Sequence, residues 1–423
     1  MSDRLVVPQP GRMLDMACRC CDGRRVELVI DLGDQPHCNR LVRHDLPPGV
    51  EPAYPLRVGF CRDCSMVQID HTIPKESMFA DYPYVSGTTK TLPEHFRQTS
   101  ARIDAACGLG AQDLVVDIGS NDGTWLKQYA SYGCRVLGVE AAANVARMAQ
   151  DAGVSTWNCF FNEDCARDIL AACGPAKVVT AAGVFFHLEE LHSVVRGIAA
   201  LLATDGLFVV QAIYLGGMVA NTAFDQIYHE HLCYYTLRSL SALLERHGLE
   251  VFEANLVPIH GGTIEAYVAR KGTRQVGDSV RRLQATEAAN GLGDIDTYRR
   301  FAMNVLTLRD RLRALLMAYR VAGRSVWAYG APAKGATLLN SFGIGPDLVQ
   351  KAVEKNPLKI GLAIPGVRIP IEDEAGQRPD AYLVLAWNFI DEFVRKERDW
   401  IAAGGQFIVP IPEVKVIEAR AGA

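Results

Sequence analysis

The sequence predicts a three-part α/β protein, in which a small β-rich module precedes a doubly wound, Rossmann-like sheet and a second, smaller Rossmann-like domain. Three observations predict it. Two C-x-x-C pairs, Cys18/Cys21 and Cys61/Cys64, stand among short strand-like stretches near the start of the chain. From Leu114, apolar strand-like runs alternate with amphipathic helical stretches, the pattern of a parallel sheet covered on both faces. After a long helical stretch the alternation resumes from Ser325. The 423 residues, at roughly 150 per domain, suit two or three units better than one core. We place the boundaries at 1–75, 76–275 and 276–423.

Composition excludes several classes. With 44 Lys and Arg against 48 Asp and Glu the net charge is −4, and no long basic run offers a footprint for nucleic acid. At 49% hydrophobic and 22% charged residues the chain has the make-up of a globular protein. Residues 1–15 carry Asp, Pro and Arg where a signal peptide needs an apolar stretch, and no apolar run approaches the roughly 18 residues of a membrane span. The expectation is a cytoplasmic monomer without membrane or nucleic-acid partners. In that setting disulfides are not expected among the twelve cysteines.

In chain order, Val26 to Ile30 and Leu56 to Phe60 read as strands of the first module. Leu114 to Ile118, Arg135 to Val139, Lys177 to Ala182 and Leu207 to Ile213 read as parallel strands. Leu249 to Pro258, the turn His260-Gly261-Gly262 and Thr263 to Ala269 form a closing hairpin, the glycines supplying positive φ. Between Gly277 and Ala322 the apolar positions Val305, Leu308, Leu312, Leu315 and Leu316 recur at helical spacing, predicting one long connecting helix. Ser325 to Tyr329, Leu348 to Val353, Ala381 to Leu385 and Gln406 to Val409 are the strands of the last domain.

Each C-x-x-C pair places two thiolates on one side of a tight turn. Together Cys18, Cys21, Cys61 and Cys64 supply the four soft ligands of a closed, tetrahedral Zn²⁺ site, which is structural because it keeps no open position. Cys20 fits such a knuckle poorly. The other seven cysteines lack ligand spacing.

Val115 to Gly123 follows a strand and opens onto a helix, and its glycines let the backbone approach a ligand. The spacing is neither G-x-G-x-x-G nor a P-loop. Glu140 ends the next strand, where a carboxylate can accept ribose hydroxyls. Strand, D-x-G-x-x-x-G loop, helix, strand and acid make the pattern of S-adenosylmethionine binding in class I methyltransferases, with Asn162 where adenine is often contacted. Ligands in such sheets lie beyond the carboxyl ends of the strands. There stand His187, the run Phe224-Asp-Gln-Ile-Tyr-His-Glu-His231 and His260. His229-Glu230-His231 lacks the H-E-x-x-H spacing of a metalloprotease. The cluster suits proton abstraction, with an adjacent carboxylate orienting a histidine, and residue chemistry alone does not choose between His229 and His231.

The paired knuckles, Asp31-Leu-Gly-Asp-Gln-Pro36, Met66-Val-Gln68, Tyr82-Pro-Tyr84 with Ser86-Gly87, Asp117 to Gly123, Phe224 to His231, His260-Gly-Gly262, Tyr329 to Gly335, Gly343 to Leu348 and Ala386-Trp-Asn388 resemble, nearly end to end, the three-domain S-adenosylmethionine-dependent sugar C-methyltransferases. The resemblance implies a zinc-binding domain, a class I methyltransferase domain and a C-terminal Rossmann-like domain. It implies a nucleotide-linked 4-keto-6-deoxysugar as substrate, methylated at carbon 3 after base-catalysed enolate formation. His231 would be the base, with Tyr228, Glu230, His187, Tyr82 and Tyr84 around the sugar. Asp117, Gly119, Asn121, Asp122, Gly123, Glu140, Asn162 and Ser86 would hold the cofactor. Tyr228 or His187 would donate to the oxyanion. Where relatives often carry an acid after the fifth strand this chain has Gln211, which leaves the sugar open. The alternatives are methylation at carbon 5, a methyltransferase acting on oxygen or RNA, and a non-catalytic scaffold. The loop Gly330 to Gly335 again follows a strand and opens a helix, where a phosphate or nucleotide is conceivable, and packing is expected ahead of a second cofactor site.

Overall fold

The computed structural model describes residues 5–43, 45–46, 51–79, 82, 85–88, 91–259 and 261–419. Tyr84 and His260 lie outside the described residues. The central sheet has seven strands in the order 249–257, 263–270, 202–213, 176–182, 114–118, 135–139, 156–157. Its neighbours run parallel except for 263–270, which is antiparallel to both 249–257 and 202–213. Leu114–Ile118 is the middle one of the five parallel strands, with all five of its residues buried, as a strand covered by helices on both faces must be. Leu202–Ile213 begins five residues before the run predicted from Leu207, its register shifting against the neighbouring strand between Ala176 and Val178.

The first module pairs Val26–Pro36 with Ala53–Cys61 and then Val67–Ile69, all antiparallel. Its fourth strand, Cys233–Tyr234, comes from the middle of the chain and pairs with Val67 and Gln68. In the last domain the strand order is 371–372, 352–353, 326–329, 381–384, 406–409, 415–417, parallel except for the last. The strand expected from Leu348 shrinks to Ala352–Val353, because Leu348 and Val349 donate back to the Gly345 carbonyl in a turn.

The single connecting helix expected between Gly277 and Ala322 is two. Asp278–Ala289 ends at Asn290, Gly291 takes a φ of 65°, and Asp294 caps the next helix, Ile295–Val321, by accepting from the Asp296 N–H. The first of the two packs back on the central sheet, where the Gly277 N–H donates to the Phe252 carbonyl. The second packs on the cysteine module through Tyr298 against Phe60, ring centroids 5.0 Å apart.

All three units meet around Phe224 to His231. Phe224, fully buried, stacks on Phe342 of the last domain at 4.7 Å. Thr337 Oγ1 donates to the Ile227 carbonyl at 3.0 Å, and Trp387 Nε1 donates to Asp225 Oδ2 at 2.7 Å. Among the described residues, no helix is long and apolar enough to cross a membrane. Phe342→Ala should lower the unfolding free energy by about 3–5 kcal/mol, the usual cost of emptying a buried aromatic site, as read from denaturant titration.

Candidate active site

The four knuckle cysteines converge, with all four sulfurs within 4.8 Å of one another. Cys20 is not one of the four, and its thiol lies 3.7 Å from the Ser239 carbonyl. Gln68 Nε2 lies 3.2 Å from Cys18 Sγ, and the N–H groups of Cys20 and Asp63 reach the Cys18 and Cys61 sulfurs at 3.4 Å each. Hydrogen bonds from Cys61 and Cys64 hold the Cys18 thiol well below the usual range, while both donors are pushed up. Four neighbouring thiols cannot all ionise alone, and a divalent cation removes that conflict. The donor set fits Zn²⁺ and supplies no open position.

At the carboxyl edge of the central sheet lies a cavity of about 470 Å³. Gly119, Asn121 and Glu140 form one wall, and Ser86 lies over them. Gly119 has a φ of 67°, and a Cβ there would stand 2.3 Å from Val184 Cγ2, so no other residue fits the turn. Glu140 is held by backbone: the Asn121 N–H donates to Oε2 and the Ala142 N–H to Oε1, both at 2.8 Å. Burial raises its pKa.

Four residues expected at the cofactor do not line the cavity. Asp117 is buried beneath the loop, where Thr180 Oγ1 donates to it at 2.6 Å and burial lifts its pKa to about 7. The Asp122 carboxylate accepts from the Gly87 N–H at 3.2 Å, and so works with Asn121, which accepts from the Ser86 N–H at 2.8 Å, to hold the 86–88 turn. Gly123 faces Val154. Asn162 caps the helix Glu163–Cys173, accepting from the Cys165 N–H at 3.0 Å. An Asn followed by Glu163 and Asp164 was itself a cap signal. Cys159, Phe160 and Phe161 line the wall in its place.

The opposite wall carries Tyr82, His187, Tyr228 and His231. His231 Nδ1 lies 2.7 Å from the Gln226 carbonyl, which only accepts, so Nδ1 bears the proton and Nε2 is the basic nitrogen. The same logic applies to His187, whose Nδ1 donates to the Glu230 carbonyl at 2.6 Å, and burial lowers its pKa. A neutral His187 with its proton on Nδ1 cannot also donate from Nε2, which removes it as the expected oxyanion donor. The Tyr228 ring lies 3.9 Å from that of His231, and burial raises its pKa well above the phenol range.

His229 is excluded from the cavity. Its Nε2 sits 3.2 Å from the carbonyls of Tyr54 and Pro55 in the cysteine module, and burial lowers its pKa to about 4. Glu230 does not orient His231 as expected: its carboxylate accepts from Tyr82 and Asn39, with His37 alongside. Burial would raise its pKa, but His37, His187 and Asn39 outweigh burial and bring it to about 2.

Sequence reasoning missed two contributions. Asn144 pins the Tyr82 backbone, accepting from its N–H at 3.1 Å and donating to its carbonyl at 2.8 Å. Its position near the start of the helix after Glu140 was the available signal. The loop Gly330 to Gly335, expected first of all to pack, brings Pro332, Ala333 and Lys334 to the cavity, with Asn388 beside them. Lys334 Nζ donates to Asn388 Oδ1 at 2.5 Å and lies 4.4 Å from the Trp387 ring.

A family described as the C-methyltransferase C-terminal domain matches residues 258–412, a domain family named for zinc binding matches 18–79, and a methyltransferase domain family matches 92–254. C-methyltransferase NovU of Streptomyces niveus is 36% identical over 407 residues, covering 95% of this chain and 97% of that one. Among solved structures, the CcbJ methyltransferase from Streptomyces caelestis is 17% identical over 46% of this chain and 96% of its own, at a TM-score of 0.34. Magnesium protoporphyrin IX methyltransferase from Synechocystis PCC 6803, solved with bound SAM, is 15% identical over 42% of this chain and 79% of its own, at 0.33.

Metal analysis should find about one Zn²⁺ per chain, and Cys61→Ser should lose it together with thermal stability; full zinc retention would show that Cys61 is not a ligand. Glu140→Ala should weaken S-adenosylmethionine binding by about 1.5–3 kcal/mol, the range for a hydrogen bond to a charged group. Calorimetry with unchanged affinity would remove Glu140 from the site.

Proposed function

The chain belongs to the S-adenosylmethionine-dependent C-methyltransferase family, and on that premise we propose that its substrate is a nucleotide-linked 4-keto-6-deoxysugar, methylated at carbon 3. Methylating carbon requires a carbanion equivalent, hence a base beside an acidified C–H. The observation that carries the reading is the tautomer of His231: the Gln226 carbonyl holds the proton on Nδ1 and leaves Nε2 as the basic nitrogen of a residue on the cavity wall. A keto group at carbon 4 makes the carbon 3 proton acidic enough for an imidazole to remove.

In this reading His231 Nε2 accepts the proton, and Tyr228 donates its hydroxyl hydrogen toward the developing O4 oxyanion. Burial favours that role, since it keeps Tyr228 a phenol, and a hydrogen bond aimed where charge develops is strengthened away from water. His187, neutral and with its lone pair on Nε2, accepts a hydrogen bond from a sugar hydroxyl. The Gly119 loop and Glu140 would hold S-adenosylmethionine, whose sulfonium would supply an electrophilic methyl group to the enolate carbon and leave as the neutral thioether. At the far end of the cavity the helix Ala333–Phe342 begins with Ala333 and Lys334 on the wall. A helix N-terminus and an ammonium group together suit the diphosphate of a nucleotide sugar.

On this reading the rival base is His187, which lines the cavity, and not His229, whose Nε2 lies against the Tyr54 and Pro55 carbonyls. His231→Asn should reduce turnover by about 10²–10⁴-fold, the range for a positioned base, with cofactor affinity nearly intact. It should also stop exchange of the carbon 3 proton of a 4-keto nucleotide sugar in deuterated water, followed by NMR, whereas His229→Asn should still exchange it. If His231→Asn exchanges at the wild-type rate and His187→Asn does not, His187 is the base. Exchange at carbon 5 alone would move the methylation site.

A further inference from the structure

Glu230 is 1% exposed, yet its carboxylate is held from the zinc module rather than from the central sheet alone. Asn39 Nδ2 donates to Oε1 at 2.6 Å. His37 Nε2 lies 2.9 Å from the same oxygen, within ion-pair distance though off the line of a hydrogen bond. On the other side, the Tyr82 hydroxyl donates to Oε2 at 3.0 Å. His37 and Asn39 directly follow the module's strand Val26–Pro36, so a continuous path runs from the metal-bearing sheet to a phenol on the wall of the cavity.

We propose that His37 and Asn39 are positioning residues for methyl transfer, acting from the zinc module through Glu230 to fix the hydroxyl of Tyr82 at the substrate. Asn144 fixes the Tyr82 backbone, and the far end of the side chain takes its direction from Glu230. Because the Tyr82 hydroxyl donates its hydrogen bond to the carboxylate, its oxygen can act toward any other group only as an acceptor, whereas Tyr228 serves as a donor. A buried carboxylate that loses a donor is left under-solvated. It answers by re-aiming or by taking a proton, and either change releases Tyr82. Cys38 Sγ, 4.0 Å from Glu230 Oε1, makes His37, Cys38 and Glu230 a trio of ligand-type atoms. Donors from Asn39 and Tyr82 already occupy the carboxylate, which favours a hydrogen-bonded network over a second metal site.

This inference rests on the reading of the cavity as the methyl-transfer site, and the test separates the two. With 3-fluorotyrosine placed at position 82 of the full-length, zinc-loaded protein, the fluorine resonance is recorded without substrate. Asn39→Ala, His37→Leu and Glu230→Gln should each displace it. A resonance unmoved by Asn39→Ala overturns the proposal. Should that variant fail to fold, Asn39→Ser reads the same contact. Zinc should stay at one equivalent in His37→Leu, and loss of a second equivalent overturns the proposal in favour of a metal site. With a 4-keto nucleotide sugar, Asn39→Ala should lower kcat by about 10–100-fold, as small misplacements of positioning groups do, with cofactor KM nearly unchanged. A wild-type protein that does not turn over the sugar removes the proposed substrate, and the fluorine result still decides the positioning role.

Discussion

Eight residues, Phe224 to His231, are the point on which the three units close, and their geometry depends on all three at once. Asp225 is fully buried and bonded to Trp387 of the last domain, while His229 faces the carbonyls of Tyr54 and Pro55 in the first module. His231 faces the cavity between them. The divergence of His229 and His231 has a simple cause. The His231 N–H donates to the Tyr228 carbonyl at 2.8 Å, closing a turn that sends neighbouring side chains in different directions. An extended segment would have pointed residues two apart to the same side. That turn gives two chemically identical side chains separate tasks.

Buried carboxylates recur around the cavity, and each is matched by donors rather than left to Coulomb attraction alone. Glu265 is fully buried on the hairpin strand and accepts from Thr99, Arg102, Gln211 and Tyr267. Its backbone partner across the sheet is Gln211, whose side-chain amide donates to the carboxylate at 2.7 Å. Interactions of this kind are costly when half made and stabilising only when complete. They also tie the covering helix Thr91–Cys107, which carries Thr99 and Arg102, to the edge of the sheet.

Most of the sheet was legible in the sequence because parallel strands buried on both faces read as continuous apolar runs and their order follows from connection rules. The cysteine spacing was legible because ligand geometry restricts it. What escaped notice was either very short or non-local. Thr156–Trp157 and Cys233–Tyr234 have two residues each, too few for periodicity to act on. The break at Gly291 was passed over because the apolar spacing downstream was strong enough to suggest a single helix. Lys334 belongs to the stretch Tyr329 to Gly335, but its approach to the cavity is a property of how the last domain docks, and no local pattern encodes that. His37 and Asn39 look like ordinary loop residues until Glu230 is beside them.

The strand Cys233–Tyr234 has a consequence for how the chain can be assembled. A ribosome delivers the cysteine module first, but the edge of Val67–Ile69 has no partner until residue 234 has emerged. Through that interval the module presents an unpaired strand of three buried-type residues, an invitation to wrong partners. Once the pairing forms, it lies two residues from His231, so sealing the module's edge and setting the cavity's histidine are one folding event. Long-range pairings of this kind form slowly. A nascent chain therefore acquires its metal-site ligands early and its reaction site late, and the interval between them is when it most needs protection from aggregation.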